Sequence, residues 1–293
     1  MQYTMTKGHF INTNQGFFHY HVQGESGRQV HFCHGLSLSA GTYLPFLESL
    51  SRHDLKIFAP DLRGHGYSTK ENTLEVKNWD LFVKDLEQFV LSITHPPVIG
   101  MGHSIGGYFT YAAAALYPGL FSKIILLDPI ILPPNIVRLC ALARLTGFDK
   151  YHPLPRMTRK KKFEFPSKEG ALDHYSGKGM FKSWRPEFVP AFVDTAIEQE
   201  SATTWELCCH PEFEAQIYES VPFETWRFAG LIHIPVLVVR GEKSDLFYEQ
   251  AGLRIAEKIR DCRFVTLEGL SHFLMMEEPD KVIDTILPFI QEL

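Results

Sequence analysis

An α/β fold, with a mostly parallel eight-stranded sheet flanked by helices, is predicted by three features of this 293-residue sequence. Strand-like and helix-like runs alternate along the chain; the alternation stops once, for about a hundred residues; and it then resumes. A hydrophobic content of 45% against 22% charged residues is enough for a large core, and no repeat, low-complexity tract or Gly/Ser linker divides it.

The elements justify that class in order. Runs over 8–12 and 16–23, separated by the turn-prone Thr13-Asn14-Gln15, predict an antiparallel hairpin at a sheet edge. A short apolar strand over 30–33 ends at His34-Gly35, and the spacing of Leu44, Leu47 and Leu50 predicts a helix over 43–50. Residues 56–60 read as a strand, and 79–93 as a helix with Leu81, Phe82, Leu86, Phe89, Val90 and Ile93 on one face. A strand over 98–101, an Ala-rich helix over 105–117 and a strand over 123–127 follow.

Beyond Asp128 the pattern breaks, and an inserted helical cap over 133–232 is expected, leaving a core domain of 1–132 and 233–293. One cap helix opens at Pro133-Pro134-Asn135 and closes at Gly147, with Ile136, Val137, Leu139, Cys140, Leu142 and Leu145 near one face. Another starts near Pro186 and carries Phe188, Val189, Phe192, Val193, Ala196 and Ile197. A strand over 236–239, a helix over 249–259, a strand over 263–267 and a helix over 279–290 complete the chain.

Charge narrows the function. A formal net charge of −5 argues against nucleic acid as a partner. The basic run Arg159-Lys160-Lys161-Lys162 reads as a solvated face, with contact to an anionic surface as the alternative. Residues Met1–Phe10 lack the apolar stretch of a secretory leader, and no run is long enough for a transmembrane segment. Five cysteines, odd in number and without metal-site spacing, fit a reduced, cytoplasmic setting and no metal; adjacent Cys208 and Cys209 read as helix thiols, with a redox-active pair as the alternative.

The chemistry centres on Gly102-His103-Ser104-Ile105-Gly106-Gly107, a Gly-x-Ser-x-Gly placed between an apolar strand and a helix. Such a turn exposes the serine and aims the first free N–H groups of the helix at a reacting centre. A serine needs an imidazole to take its proton and a carboxylate to orient that imidazole. His272 follows the last strand; Asp245 lies just past the strand over 236–239 and is the expected acid. Asp128, ending the strand over 123–127, is its rival, and capping the next helix is the other reading of Asp245. The backbone N–H groups of Leu36 and Ile105 are the expected oxyanion donors, with His34 and Gly35 supporting the loop.

These segments, together with Asp61-Leu62-Arg63-Gly64-His65-Gly66-Tyr67-Ser68 and Glu278-Pro279-Asp280, resemble the α/β-hydrolase superfamily on both sides of the insertion. The resemblance implies a serine hydrolase with a Ser104/Asp245/His272 triad, no cofactor, and a helical cap over a small-molecule ester-like substrate, with water as second substrate. Ser104 speaks against the relatives that use an Asp nucleophile. Met180, Phe181, Trp184, Phe188 and Phe192 offer either cap core or substrate surface. A small to medium carboxylic ester is the central expectation; carbon–carbon bond hydrolysis of ring-cleavage diketones, acylglycerol hydrolysis and a non-catalytic ligand receptor are the alternatives. Motifs alone do not separate them.

Overall fold

The computed structural model describes residues 8–70, 75–148 and 151–292. Of the stretch Met1–Phe10 read against a leader, residues 1–7 therefore lie outside the described residues. In chain order the structure runs through β1 (His9–Thr13), β2 (Gly16–Gln23), β3 (Arg28–Cys33), α1 (Leu44–Ser51), β4 (Leu55–Pro60), α2 (Asp80–Ile93), β5 (Val98–His103), α3 (Ile105–Leu116) and β6 (Phe121–Leu127). The inserted segment holds α4 (Pro134–Thr146), α5 (Pro153–Thr158), β7 (Glu164–Phe165), α6 (Lys168–Tyr175), α7 (Phe188–Ala196), β8 (Ile197–Ser201), β9 (Thr204–Leu207), α8 (Pro211–Glu219) and α9 (Thr225–Phe228). The chain returns through β10 (Val236–Gly241), α10 (Glu249–Lys258), β11 (Cys262–Leu267), α11 (Leu274–Glu277) and α12 (Pro279–Gln291).

One eight-stranded sheet has the order β1-β2-β4-β3-β5-β6-β10-β11. The β1–β2 hairpin pairs antiparallel with itself and with β4, and every other neighbour is parallel. β5 is buried at all six positions, as a strand with helices over both faces must be. One apolar layer packs around α1 and α12, the other around α2, α3 and α10.

The insertion differs from the helical cap expected. It contains a three-stranded antiparallel sheet, β7-β9-β8, because short Thr-, Trp- and Leu-containing runs beside charged residues pair with each other as strands. On α4 the predicted apolar residues do not share a face. Val137 is buried, Ile136 and Cys140 are half-buried, while Leu139, Leu142 and Leu145 point outward. α7 fastens the insertion to the core: Ser39 Oγ and Thr195 Oγ1 are 2.7 Å apart, and a Cβ on Gly41 would sit 2.3 Å from Thr195.

Candidate active site

The parallel strands β3, β5, β6, β10 and β11 end on one edge, and open sheets of this kind gather their reactive groups there. Ser104 stands in the turn from β5 to α3 with φ 57° and ψ −124°, in a region that side chains rarely adopt. Backbone hydrogen bonds hold it: Ser104 N–H donates to Leu127 O (3.1 Å), and Ser104 O accepts from Tyr108 (3.2 Å) and Ile130 (3.0 Å). The flanking glycines are required by contact. A Cβ on Gly102 would lie 2.3 Å from Gly106 O, and one on Gly106 2.3 Å from Cys33 O.

Ser104 Oγ is 2.9 Å from His272 Nε2, and His272 Nδ1 is 2.6 Å from Asp128 Oδ1. All three residues are buried. Asp128 also accepts from Ser244 Oγ (2.6 Å) and from the N–H of Gly241 (2.9 Å), so three donors converge on one carboxylate. The loop presenting His272 is pinned by Glu277, which accepts from Ser271 N–H (2.7 Å) and Ser271 Oγ (2.6 Å).

The acid expected at Asp245 is thus corrected to Asp128. β6 lies between β5 and β10, which puts its terminal residue beside the serine turn. In the loop after β10, Arg240 donates to the carbonyls of Phe247 (2.7 Å) and Ser244 (3.3 Å). That curl turns Ser244 inward toward Asp128 and leaves Asp245 exposed at the cavity wall. A backbone N–H and a hydroxyl thus come from the β10 turn, where an acid was expected.

Sequence reading missed a second chain of hydrogen bonds. Gly35 N–H donates to Tyr43 Oη (3.0 Å), Tyr43 O–H donates to His103 Nδ1 (2.6 Å), and His103 Nε2–H donates to His272 O (2.9 Å). Burial, followed by the neighbouring His272, holds the His103 imidazole well below the ordinary histidine range, which matches a neutral ring that donates at one nitrogen and accepts at the other. His34 is similarly fixed, donating from Nδ1 to Gly35 O (2.8 Å) and accepting Leu62 N–H at Nε2 (2.8 Å). His65 Nε2 accepts from Ser37 N–H (3.2 Å). The turn carrying Gly35 and Leu36 is therefore braced from three sides. His34, His65 and His103 stand in motifs that the sequence displays, but nothing in it marked Tyr43, ten residues past β3.

A cavity of about 940 Å³ opens over Ser104 and His272, with Leu36 and Ile105 in its wall. Its lining is mainly apolar: Met180, Phe181 and Phe192 face it, whereas Trp184 and Phe188 belong to the packed core. Lys161, Glu214 and Tyr218 form a polar patch on the same wall, where Lys161 Nζ pairs with the buried Glu214 carboxylate. Among the described residues, no group of three His, Cys, Asp or Glu side chains is placed to hold a metal ion. The arrangement can take a proton from Ser104, share the resulting positive charge with a buried carboxylate, and exclude water from an apolar ligand.

Comparison with known proteins agrees with the fold. The profile of the alpha/beta hydrolase family matches residues 32–285. Monoglyceride lipase of Rattus norvegicus is 34% identical over 131 residues, 42% of this chain and 43% of that protein. The chain spans about half or less of the length of the monoglyceride lipases it matches. Proline iminopeptidase of Saccharolobus solfataricus is 24% identical over 301 residues, covering 98% of this chain and 95% of that protein. The crystal structure of E-2-(acetamidomethylene)succinate hydrolase superposes with a TM-score of 0.75 at 19% identity, over 97% of this chain and 100% of that one, a likeness of fold.

Proposed function

Because this chain belongs to the alpha/beta hydrolase family, we propose that it hydrolyses a lipophilic carboxylic ester at Ser104 through an acyl-enzyme. The observation that carries the reading is the unbroken line from Ser104 Oγ through His272 to Asp128, at 2.9 and 2.6 Å. His272 Nε2 takes the Ser104 proton as Oγ attacks the ester carbonyl, and Asp128 holds the imidazole tautomer and offsets the imidazolium charge. The tetrahedral oxyanion is received by the N–H groups of Leu36 and Ile105, each worth about 3 kcal/mol in kcat. His272 then returns the proton to the departing alcohol, and water activated by the same imidazole releases the acid.

The residues from 133 to 232 act as the cap that closes this pocket. A volume of about 940 Å³ with apolar walls suits a medium to long acyl chain better than a short one, since small-molecule pockets run from about 300 to 1,000 Å³. The named relatives that act on monoglycerides point the same way, and a monoacylglycerol is the first natural substrate to try. The polar patch of Lys161, Glu214 and Tyr218 offers hydrogen bonds to a hydroxylated leaving group.

Labelling with a fluorophosphonate, followed by aryl esters of increasing acyl length and then a monoacylglycerol, tests the reading. Label on Ser104 with kcat/KM rising from short to medium chains is the expected outcome. No label and no turnover of any ester would return the chain to the class of ligand receptors. Turnover restricted to a vinylogous diketone would favour carbon–carbon bond hydrolysis.

A further inference from the structure

We propose that Ser244, in the turn after β10, is a positioning residue for the His272–Asp128 pair: its hydroxyl donates to the Asp128 carboxylate, fixes the oxygen that faces the imidazole and sets the proton affinity of the pair. The inference rests on the hydrolytic reading, which supplies the reaction that Ser244 tunes.

Counting protons gives the direction of the hydrogen bond. Ser244 Oγ is 2.6 Å from Asp128 Oδ1, and it also receives the N–H groups of Phe247 (3.2 Å) and Leu246 (3.4 Å). A hydroxyl has one proton and two lone pairs, and a backbone N–H can only donate. Both lone pairs are thus engaged by the turn, and the single proton goes to Asp128. A serine that served only to close the turn would be complete with the two N–H groups. The third contact points at the site.

Placement gives that contact its weight. Asp128 is fully buried, so the hydrogen bonds of its carboxylate come from the protein. Gly241 N–H donates to Oδ2 (2.9 Å), while Ser244 Oγ and His272 Nδ1 both donate to Oδ1, each at 2.6 Å. Both oxygens are anchored, and Ser244 shares with the imidazole the one that carries the pair. The turn itself is held firmly: Ser244 N–H donates to Gly241 O (3.0 Å) and Lys243 N–H to Leu270 O (2.8 Å), and a Cβ on Gly241 would lie 2.1 Å from Ser271 O. The last two contacts tie the turn to the loop that carries His272. The serine donor and the histidine donor are therefore set relative to each other as well as to Asp128.

A buried carboxylate that loses a donor is less stable in its charged form, so the pair holds its proton more tightly. The affinity belongs to the pair and not to either member alone. Among the described residues, no ionisable group other than His272 hydrogen-bonds Asp128. Burial pushes His103 and His34 below the ordinary histidine range, Glu277 on α11 is taken by Ser271 and Ser183, and Arg240 is turned to carbonyls. Glu242, Lys243 and Asp245 share the turn with Ser244 and do not reach the carboxylate.

The pH dependence of kcat/KM on a water-soluble aryl ester tests this in Ser244→Ala, Ser244→Thr and Ser244→Val. The acid limb of that profile marks protonation of the pair. In Ser244→Ala it should move up by about half to one pH unit, with kcat down about tenfold and KM within about twofold. Threonine and valine have nearly the same shape and differ in the hydroxyl. The limb should therefore stay within about 0.3 units of the parent in Ser244→Thr and move up in Ser244→Val, whatever Ser244→Ala does to the turn. A limb unmoved in Ser244→Ala, or moved equally in Ser244→Thr and Ser244→Val, overturns the proposal. The proton resonance of His272 Nδ1, titrated without substrate, reads the same shift. A parent that cleaves no ester but shows this shift would end the hydrolytic reading and leave Ser244 its role, whereas an active parent with no shift in either measurement would do the reverse.

Discussion

Along the carboxyl edge of the sheet, polar groups are buried and each meets a named partner: Asp128 takes three donors, His103 uses both ring nitrogens, and so do His34 and His65. In the insertion the arrangement is reversed, with basic side chains and leucines displayed outward over an apolar cavity. Function at the first region depends on geometry fixed to a few tenths of an ångström. At the second, side chains that stand in solvent tolerate displacement. Substitutions should therefore act steeply in one region and gently in the other.

The largest effect belongs to Ser104. Ser104→Ala should reduce kcat by a factor of about 10⁴ to 10⁶ and abolish fluorophosphonate labelling, with little change in thermal midpoint. Asp128→Asn comes next, at about 10⁴ in kcat, because an asparagine would hold His272 in the wrong tautomer. Asp245→Asn is the control, expected within about threefold since no hydrogen bond ties it to His272. A larger loss at Asp245 than at Asp128, measured by steady-state kinetics, would return the role of acid to Asp245.

Much of this was legible in the sequence, and the limits have physical causes. The strand, Gly-x-Ser-x-Gly and helix pattern located Ser104, since only small flanking residues let β5 turn into α3. His272 was legible for the same kind of reason, a lone histidine between a final strand and a final helix. The acid was not, because Asp128 and Asp245 both follow strands, and the choice rests on which loop curls inward, a matter decided by Arg240 and its two carbonyls. Tyr43 was hidden by its apolar company, and the outward face of α4 by a helical spacing that counts hydrophobic residues without saying what they face.

Acid should expose the burial of the sheet region. Burial lowers His21 to about 4 and His31 and His65 to about 3, with the nearby His34 also lowering His65. The unfolded chain binds protons at these histidines below about 6.5 and the folded chain does not, so their contribution is complete above that pH and shrinks as pH falls toward 4 and then 3. The unfolding free energy from urea titration should drop on acidification from neutral to pH 4.5, by up to about 2.5 kcal/mol per histidine. Neither ring nitrogen of His31 has a hydrogen-bond partner, so His31→Leu removes one share of the slope without orphaning a donor. An unchanged slope in that variant would mean His31 is not protonated on unfolding.

A smaller effect separates positioning from packing. Tyr43→Phe keeps the ring in its fully buried place and removes the hydroxyl between Gly35 N–H and His103 Nδ1. About tenfold lower kcat with KM within twofold is expected, together with slower fluorophosphonate labelling, because the loop holding Leu36 loses its tie to the loop holding His272. Equal changes in kcat and KM for all substrates would point to a disturbed pocket instead.

The gentlest prediction tests the other side of the contrast. Leu145 is 85% exposed, and Leu145→Ser should change stability by less than about 0.5 kcal/mol, whereas Leu127→Ala, at a fully buried position one residue before Asp128, should cost about 2–5 kcal/mol. Chemical denaturation without lipid measures both. A costly Leu145→Ser would mean that this side chain is covered within the protein, removing it from the displayed face. A neutral one agrees with a side chain that stands in solvent and takes no part in the packing that Leu127 shares.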